Sequence, residues 1–218
     1  MDADPAMPPS SATVGRRSPM EEPILAVSSP RQIMVVDMLE GFTRRGPLAS
    51  PRVAALVPRQ AEFLSRLSEG DRVVFVSDAH GPNDPEFQRF PPHCLAGSDE
   101  ADVCPELIRA IPKPVGVAHV TKTTFSGFHG TDLDALVRSA DSKAWIVIGC
   151  VTDCCLEANV ADLVYRGCEV TVIRDLIDTW HDPPDHDADA INAEWFDRRF
   201  PTIWGARVLT GWKELLVP

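Results

Sequence analysis

Short continuous apolar runs recur along the chain at 33–36, 73–76, 115–120, 145–148 and 170–173, and 206–209 supplies a sixth. Runs of this length mark strands covered on both faces. Between them the apolar spacing becomes helical. Residues 53, 56, 57, 63, 64 and 67 share one face across 53–67, Leu133, Leu136 and Val137 repeat at helical spacing, and so do Leu156, Val160, Leu163 and Val164. Gly167 then stands where a left-handed cap is needed. Alternation of strand and helix predicts a mainly parallel six-stranded sheet with helices on both faces, an α/β fold. Residues 1–30 are rich in Pro, Ser and Ala without a hydrophobic period; they are expected to form a mobile tail, leaving 31–218 as one domain. No internal repeat is visible.

Composition narrows the function classes. With 218 residues, 44% hydrophobic and 24% charged, the chain suits one soluble domain. A net charge of -11 argues against a nucleic-acid partner, which needs a concentrated Lys/Arg face. No apolar run approaches the roughly 20 residues of a membrane span. Six cysteines accompany an N-terminus without the apolar core of a signal peptide, and Cys154 and Cys155 are adjacent, so reduced thiols in a cytoplasmic protein are expected.

In a parallel sheet, ligands bind beyond the C-terminal ends of the strands. There the chain places Asp37, then Asp78-Ala79-His80, then Lys122, then Gly149-Cys150-Val151-Thr152-Asp153-Cys154-Cys155. Asp78 and His80, two apart at a strand end, can converge on one ion, with His93 closing from the proline-stiffened Phe90-Pro91-Pro92-His93-Cys94 loop. Such oxygen and nitrogen donors suit zinc, iron or manganese better than calcium or magnesium. The remaining groups suit acyl transfer. A thiol of pKa about 8.5 needs a base and positive potential, for which Asp37 and Lys122 are candidates. Thr152 or Asp153 is expected to cap the helix carrying the thiol, whose dipole adds only about 0.3–1 kcal/mol. The pattern favours Cys155 over Cys154 without excluding either.

These segments, with Val35-Val36-Asp37-Met38 and Lys122-Thr123-Thr124-Phe125-Ser126, resemble the cysteine-hydrolase branch of the isochorismatase-like superfamily, and within it the nicotinamidases (pyrazinamidases), over roughly residues 32–210. The resemblance implies a three-layer α/β/α fold and a triad of Asp37, Lys122 and Cys155, the register Thr152-Asp153-x-Cys selecting Cys155. It implies one divalent ion, zinc ahead of iron or manganese, on Asp78, His80 and His93, with Glu86 as a further ligand in some members. That ion would bind the pyridine nitrogen and orient the ring. The resemblance also implies a cis peptide at Cys150–Val151, an oxyanion hole from the amides of Val151 and Cys155, and aromatic contacts from Phe42 and Phe90. The implied reaction converts nicotinamide to nicotinic acid and ammonia through a thioester. A carbamoyl, ureido or maleamate amidohydrolase is the nearest alternative, and a non-catalytic fold relative the next.

Other groups are read more plainly. His181-Asp182-Pro183-Pro184-Asp185-His186-Asp187 could be a second metal site but reads more simply as a loop and an acidic helix start. His129 is expected in a solvated turn, His119 in the core, and Cys94, Cys104 and Cys168 in packing. Trp195, Trp204 and Trp212 should cover core or a subunit interface, in keeping with an expected homo-oligomer that takes a small-molecule amide.

Overall fold

Strands β1 (Gln32–Val36), β2 (Arg72–Asp78), β3 (Gly116–Lys122), β4 (Ala144–Cys150), β5 (Glu169–Asp178) and β6 (Arg207–Leu209) form one sheet. Its order is β3-β2-β1-β4-β5-β6, with every pair parallel. The structure, a computed structural model, describes residues 30–216; apart from Pro30, the expected tail lies outside them. Chain direction across the sheet reverses between β1 and β4, the switch point at which open α/β sheets leave a crevice.

Seven helices complete the layers: α1 (Glu40–Thr43), α2 (Pro51–Ala54), α3 (Leu56–Leu64), α4 (Pro105–Ala110), α5 (Leu133–Arg138), α6 (Glu157–Tyr165) and α7 (Ala188–Glu194). The period-2 alternation of β1 sorts the two cores. Ile33 and Val35 join Phe63, Leu64, Phe75, Leu107 and Trp212 on the face covered by α2–α4. Met34 and Val36 join Trp145, Leu156, Val160, Leu163 and Phe200 on the other face. Strands β1, β2 and β4 are thus buried on both faces, as their apolar runs require, whereas β3 is largely exposed although its run predicts the same.

The runs identify the strands but not their ends. β5 continues to Asp178 because polar Arg174 and Asp175 interrupt its apolar residues before Leu176 and Ile177 resume them, and β3 continues past its run to Lys122, whose ammonium belongs to the site. The helix expected over 53–67 is two short helices meeting at Ala55. His119 departs from its expected place in the core. β3 is an edge strand, so His119 is exposed and stacks on Phe75 at 5.1 Å. Gly167 does cap α6, with φ +72 and its N–H on Val164 O at 2.9 Å.

Gly149 joins fold to site. Its φ is +129, and a Cβ there would fall 2.1 Å from Val36 O. β4 therefore crosses β1 too closely for any side chain just before the turn that carries the thiols. Gly149→Ala should cost about 3 kcal/mol or more, since overpacking (about 1–3) and an unfavourable backbone (about 1–3) add. Gly130→Ala, at φ +70 but facing open space, should cost only about 1–2 kcal/mol. Urea midpoints measure the contrast; equal losses would show that the close approach is not the cause.

Candidate active site

Parallel register brings the charged residues together. β2 and β3 pair Asp78 with Lys122, while Asp37 follows the last residue of β1 and donates its N–H to Val76 O at 2.9 Å. Asp37 has a left-handed backbone, φ 50, which turns its carboxylate back so that Oδ1 accepts the Asp78 N–H at 2.9 Å. The fully buried Lys122 ammonium lies 2.7 Å from Asp37 Oδ2, 2.5 Å from Asp78 Oδ1 and 3.5 Å from Cys155 Sγ. Asp37, Asp78 and Cys155 each offer an atom within 4.8 Å of the others. The structure thus unites the three residues proposed from sequence as a triad, and Asp78 with them.

Burial, helped by the Asp78 charge, lifts Asp37 to about 7 against the pull of Lys122. Burial works against the Lys122 charge, yet Asp37 and Asp78 outweigh it and hold the ammonium well above its usual range. Burial also pushes the Cys155 thiol up, with Lys122 opposing. A carboxylate near 7 beside a protonated thiol is poised to take its proton at neutral pH.

Cys155 sits in a π-helical turn, Thr152–Leu156, leading into α6. Neither Thr152 nor Asp153 caps it. Thr152 reaches Asn192 Oδ1 at 2.7 Å, and Asp153 accepts from Thr179 and His186, so both are drawn to other elements. The Val151 carbonyl accepts from Cys154 and Leu156, each at 3.2 Å, passing over the Cys155 N–H between them. The peptide Cys150–Val151 is cis.

The metal-ligating candidates also meet. Only Asp78 lies within β2; His80 is held just past it by backbone bonds to Cys94 O (3.0 Å) and from Ala96 N (2.9 Å). Asp78 Oδ2 is 3.6 Å from His80 Nε2 and 3.9 Å from His93 Nε2. Donors around an ion with bonds of about 2.0–2.2 Å lie roughly 3–4 Å apart, so the set fits one. Each imidazole is oriented from behind: His80 Nδ1 lies 3.1 Å from Asp84 Oδ2, and His93 Nδ1 is 2.8 Å from Pro91 O. That leaves each Nε2 facing inward; both His80 ring nitrogens are buried without a hydrogen bond, the Asp84 contact being an ion pair only. Glu86 is buried 4.0 Å from His93 Nε2, to one side of the trio. Burial opposes a charged His80, yet Asp78, Asp84 and Glu86 lift it to about 9. This surplus of negative charge is what a cation would neutralise.

Of these groups Asp37, Asp78, Glu86, His93 and Cys155 line one cavity of about 350 Å³, with the buried Lys122 and His80 behind its wall. Phe42, Phe90 and Phe125 line it, with Val151 and Cys154; Phe90 and Phe125 meet edge to face, centroids 6.2 Å apart. Phe125 stands inside the Lys122–Ser126 motif without a role assigned from sequence, and neither motif nor period singles out Asn159. Asn159, fully buried, donates to Phe125 O (3.1 Å) and Cys155 O (2.7 Å) and accepts from Gly127 N (3.0 Å). It fastens the aromatic wall to the turn that carries Cys155. Asp84 has no sequence motif of its own, although an acidic residue four beyond a candidate ligand histidine is a usable signal. His129 is exposed and does not line the cavity, and His181 and His186 fall in neither metal-competent group among the described residues. Cys94, Cys104 and Cys168 are buried free thiols.

A family model described as the isochorismatase domain matches residues 31–196. The chain belongs to the isochorismatase family. Its relatives include the nicotinamidase/pyrazinamidase of Mycobacterium tuberculosis, 28% identical over 158 residues that cover 67% of this chain and 85% of the relative. The crystal structure of N-carbamoylsarcosine amidase from Thermoplasma acidophilum is 31% identical, covers 82% of this chain and 95% of its own, and superposes with a TM-score of 0.67. That of pyrazinamidase of Pyrococcus horikoshii in complex with zinc is 25% identical, covers 83% and 98%, and gives 0.66. The isochorismatase family assignment makes this a hydrolase-family chain with nicotinamidase homologues. Among the described residues, no helix is long and apolar enough to cross a membrane.

The Asn159 bridge is testable by itself. Asn159→Leu keeps the branched outline but adds bulk and leaves the Gly127 N–H unpaired, and should cost about 1–3 kcal/mol or more in urea unfolding. Unchanged stability would mean that the bridge does not hold the wall.

Proposed function

We propose that this protein is a metal-dependent cysteine amidohydrolase that converts nicotinamide to nicotinic acid and ammonia. One observation carries the reading: the inward-facing donors of Asp78, His80 and His93 share Asp78 with the Lys122–Asp37–Cys155 cluster, at one end of an aromatic cavity. Asp78, His80 and His93, with Glu86 beside them, would hold a zinc, iron or manganese ion. When bound, it supplies a Lewis acid for the pyridine nitrogen and fixes the ring.

Asp37 takes the Cys155 thiol proton while Lys122 stabilises the thiolate. The sulfur attacks the carboxamide carbon, and the oxyanion accepts from the amides of Val151 and Cys155, each donor contributing about 3 kcal/mol. Asp37 returns the proton to the departing nitrogen, and ammonia leaves behind a thioester. Water, giving its proton to Asp37, attacks the thioester; the acid departs and the thiol is restored. Phe42 and Phe90 contact the ring.

Likeness to N-carbamoylsarcosine amidase favours a second reading, a ureido amidase. Ureido acids and maleamate carry a carboxylate that needs a cationic partner in an apolar site. Among the described residues lining the cavity there is neither Lys nor Arg, and Lys122 is already engaged by two carboxylates. That lining fits a neutral heteroaromatic amide better.

Ammonia release should be found with nicotinamide and pyrazinamide and not with small ureido acids; the reverse preference would overturn the assignment. Cys155→Ala should lower kcat/KM by about 10⁴-fold or more, whereas Cys154→Ser retains activity. For the metal, elemental analysis after gel filtration should find one equivalent in the wild type and none in His80→Ala or His93→Ala. Asp84→Asn should weaken binding about 10–100-fold by releasing the His80 ring. Full metal content in all three variants would remove the ion from the reading.

A further inference from the structure

The steps above use only the inner end of the cavity. Its lining continues outward over exposed Pro47 and half-buried Leu48, with buried Val53 beneath them, on one segment, and over half-buried Trp180 and exposed His181 on another. Cavities of about 300–1,000 Å³ hold ligands larger than a single ring, so a space of about 350 Å³ leaves room beyond a monocyclic amide.

The second segment belongs to the histidine- and aspartate-rich motif that resembled a metal site. Its geometry gives the motif another role. Both oxygens of Asp153, two residues before Cys155, are engaged by this loop: Oδ1 accepts from Thr179 Oγ1 at 2.9 Å, and Oδ2 lies 3.0 Å from His186 Nε2. The other nitrogen of His186 is 2.9 Å from Trp180 O, and the two rings stack at 3.9 Å with planes 12° apart. Asp182 and His186 exchange both backbone hydrogen bonds at 2.9 Å, closing the loop on itself. His186 therefore holds Trp180 by its carbonyl and by its ring face, and is itself anchored to the turn that carries the nucleophile. The loop is otherwise exposed from His181 to Asp185, and these ties keep its half-buried indole at the cavity wall.

We propose that Trp180, set in place by the Asp153–His186 clasp, is the wall of an outer apolar subsite, which selects neutral heteroaryl carboxamides carrying a further apolar group on the ring. That group lies against the indole and the Pro47–Leu48–Val53 surface while the carboxamide reaches Cys155. The inference rests on the amidase reading and adds a substrate class to it. His186 is a positioning residue, acting through Trp180.

The test compares kcat/KM for unsubstituted pyridine-3-carboxamide and a phenyl-substituted derivative, with folding of each variant checked by circular dichroism. The wild type should favour the substituted amide by about tenfold, the scale of a modest apolar contact. Trp180→Ala should abolish that preference through KM rather than kcat, and Trp180→Phe should restore part of it. His186→Ala should reproduce the Trp180→Ala ratio, and His186→Gln, which can still donate to Asp153, should fall between. A wild type that prefers the unsubstituted amide, or a preference equal in all four variants, would overturn the subsite while leaving the amidase intact. A wild type that releases ammonia from neither amide would overturn the amidase reading and the subsite with it.

Discussion

One ammonium, that of Lys122, holds the site together. It lies between two buried carboxylates that would otherwise repel each other, and it is within reach of the sulfur. Removing a charge from water costs several kcal/mol, and breaking a buried pair strands its partner. The three charges therefore persist only as a set. Their proximity comes from the sheet itself: Asp78 and Lys122 are register partners in neighbouring strands, and Asp37 ends the strand on the other side of Asp78. A slip of one residue would send these side chains to the opposite face, along with every apolar residue of the strand. The hydrophobic pattern that fixes the fold thereby fixes the charges.

Asp78 then divides its two oxygens. Oδ1 meets Lys122, while Oδ2 faces the two imidazoles. Two carboxylates against one ammonium leave a net negative charge in the interior, and Glu86 stands nearby. A cation among the donors would offset that excess and leave more of the lysine's field for Asp37 and Cys155. The metal candidates and the sulfur chemistry are thus electrostatically joined through one side chain, an arrangement hard to explain if either set were incidental. Backbone strain points to the same place. Among the described residues, the non-glycine positions with positive φ are Asp37 and Cys94, the latter directly after His93; such conformations cost about 1–2 kcal/mol each and persist where the surroundings dictate them.

Strand cores and strand-end chemistry were legible in the sequence because both obey short, local rules. Continuous apolar runs placed the strands, and the few residues that follow the runs of β1, β2, β3 and β4 carried the chemistry. Asp37, Asp78, His80, Lys122 and Cys155 were found in that way, with family resemblance selecting among the cysteines. What stayed hidden depends on contacts distant in sequence. Asn159 reads as one polar residue on an amphipathic helix, yet it bonds to Phe125 and Gly127, more than thirty residues away. Thr152 and Asp153 looked like caps because capping is local; the structure instead commits them to Asn192, Thr179 and His186. His119 looked buried because its neighbours are apolar, and only the order of strands reveals that β3 is an edge.

The contrast between strand ends and loops also bears on how relatives of this fold differ in substrate. Groups held by register cannot move without refolding the sheet, so the chemistry at the inner end is stiff. The outer wall rests on side-chain hydrogen bonds and one stacked pair in the 179–187 loop, which can change without disturbing the parallel pairing. Function placed on loops over a rigid scaffold is free to vary. Because the clasp ends on Asp153, in the same turn as Cys155, the variable wall is nonetheless referenced to the nucleophile rather than to the protein surface. A substrate held against Trp180 gains binding that is the same before and during the reaction, so the wall selects among amides through KM and leaves the chemistry at the sulfur unchanged.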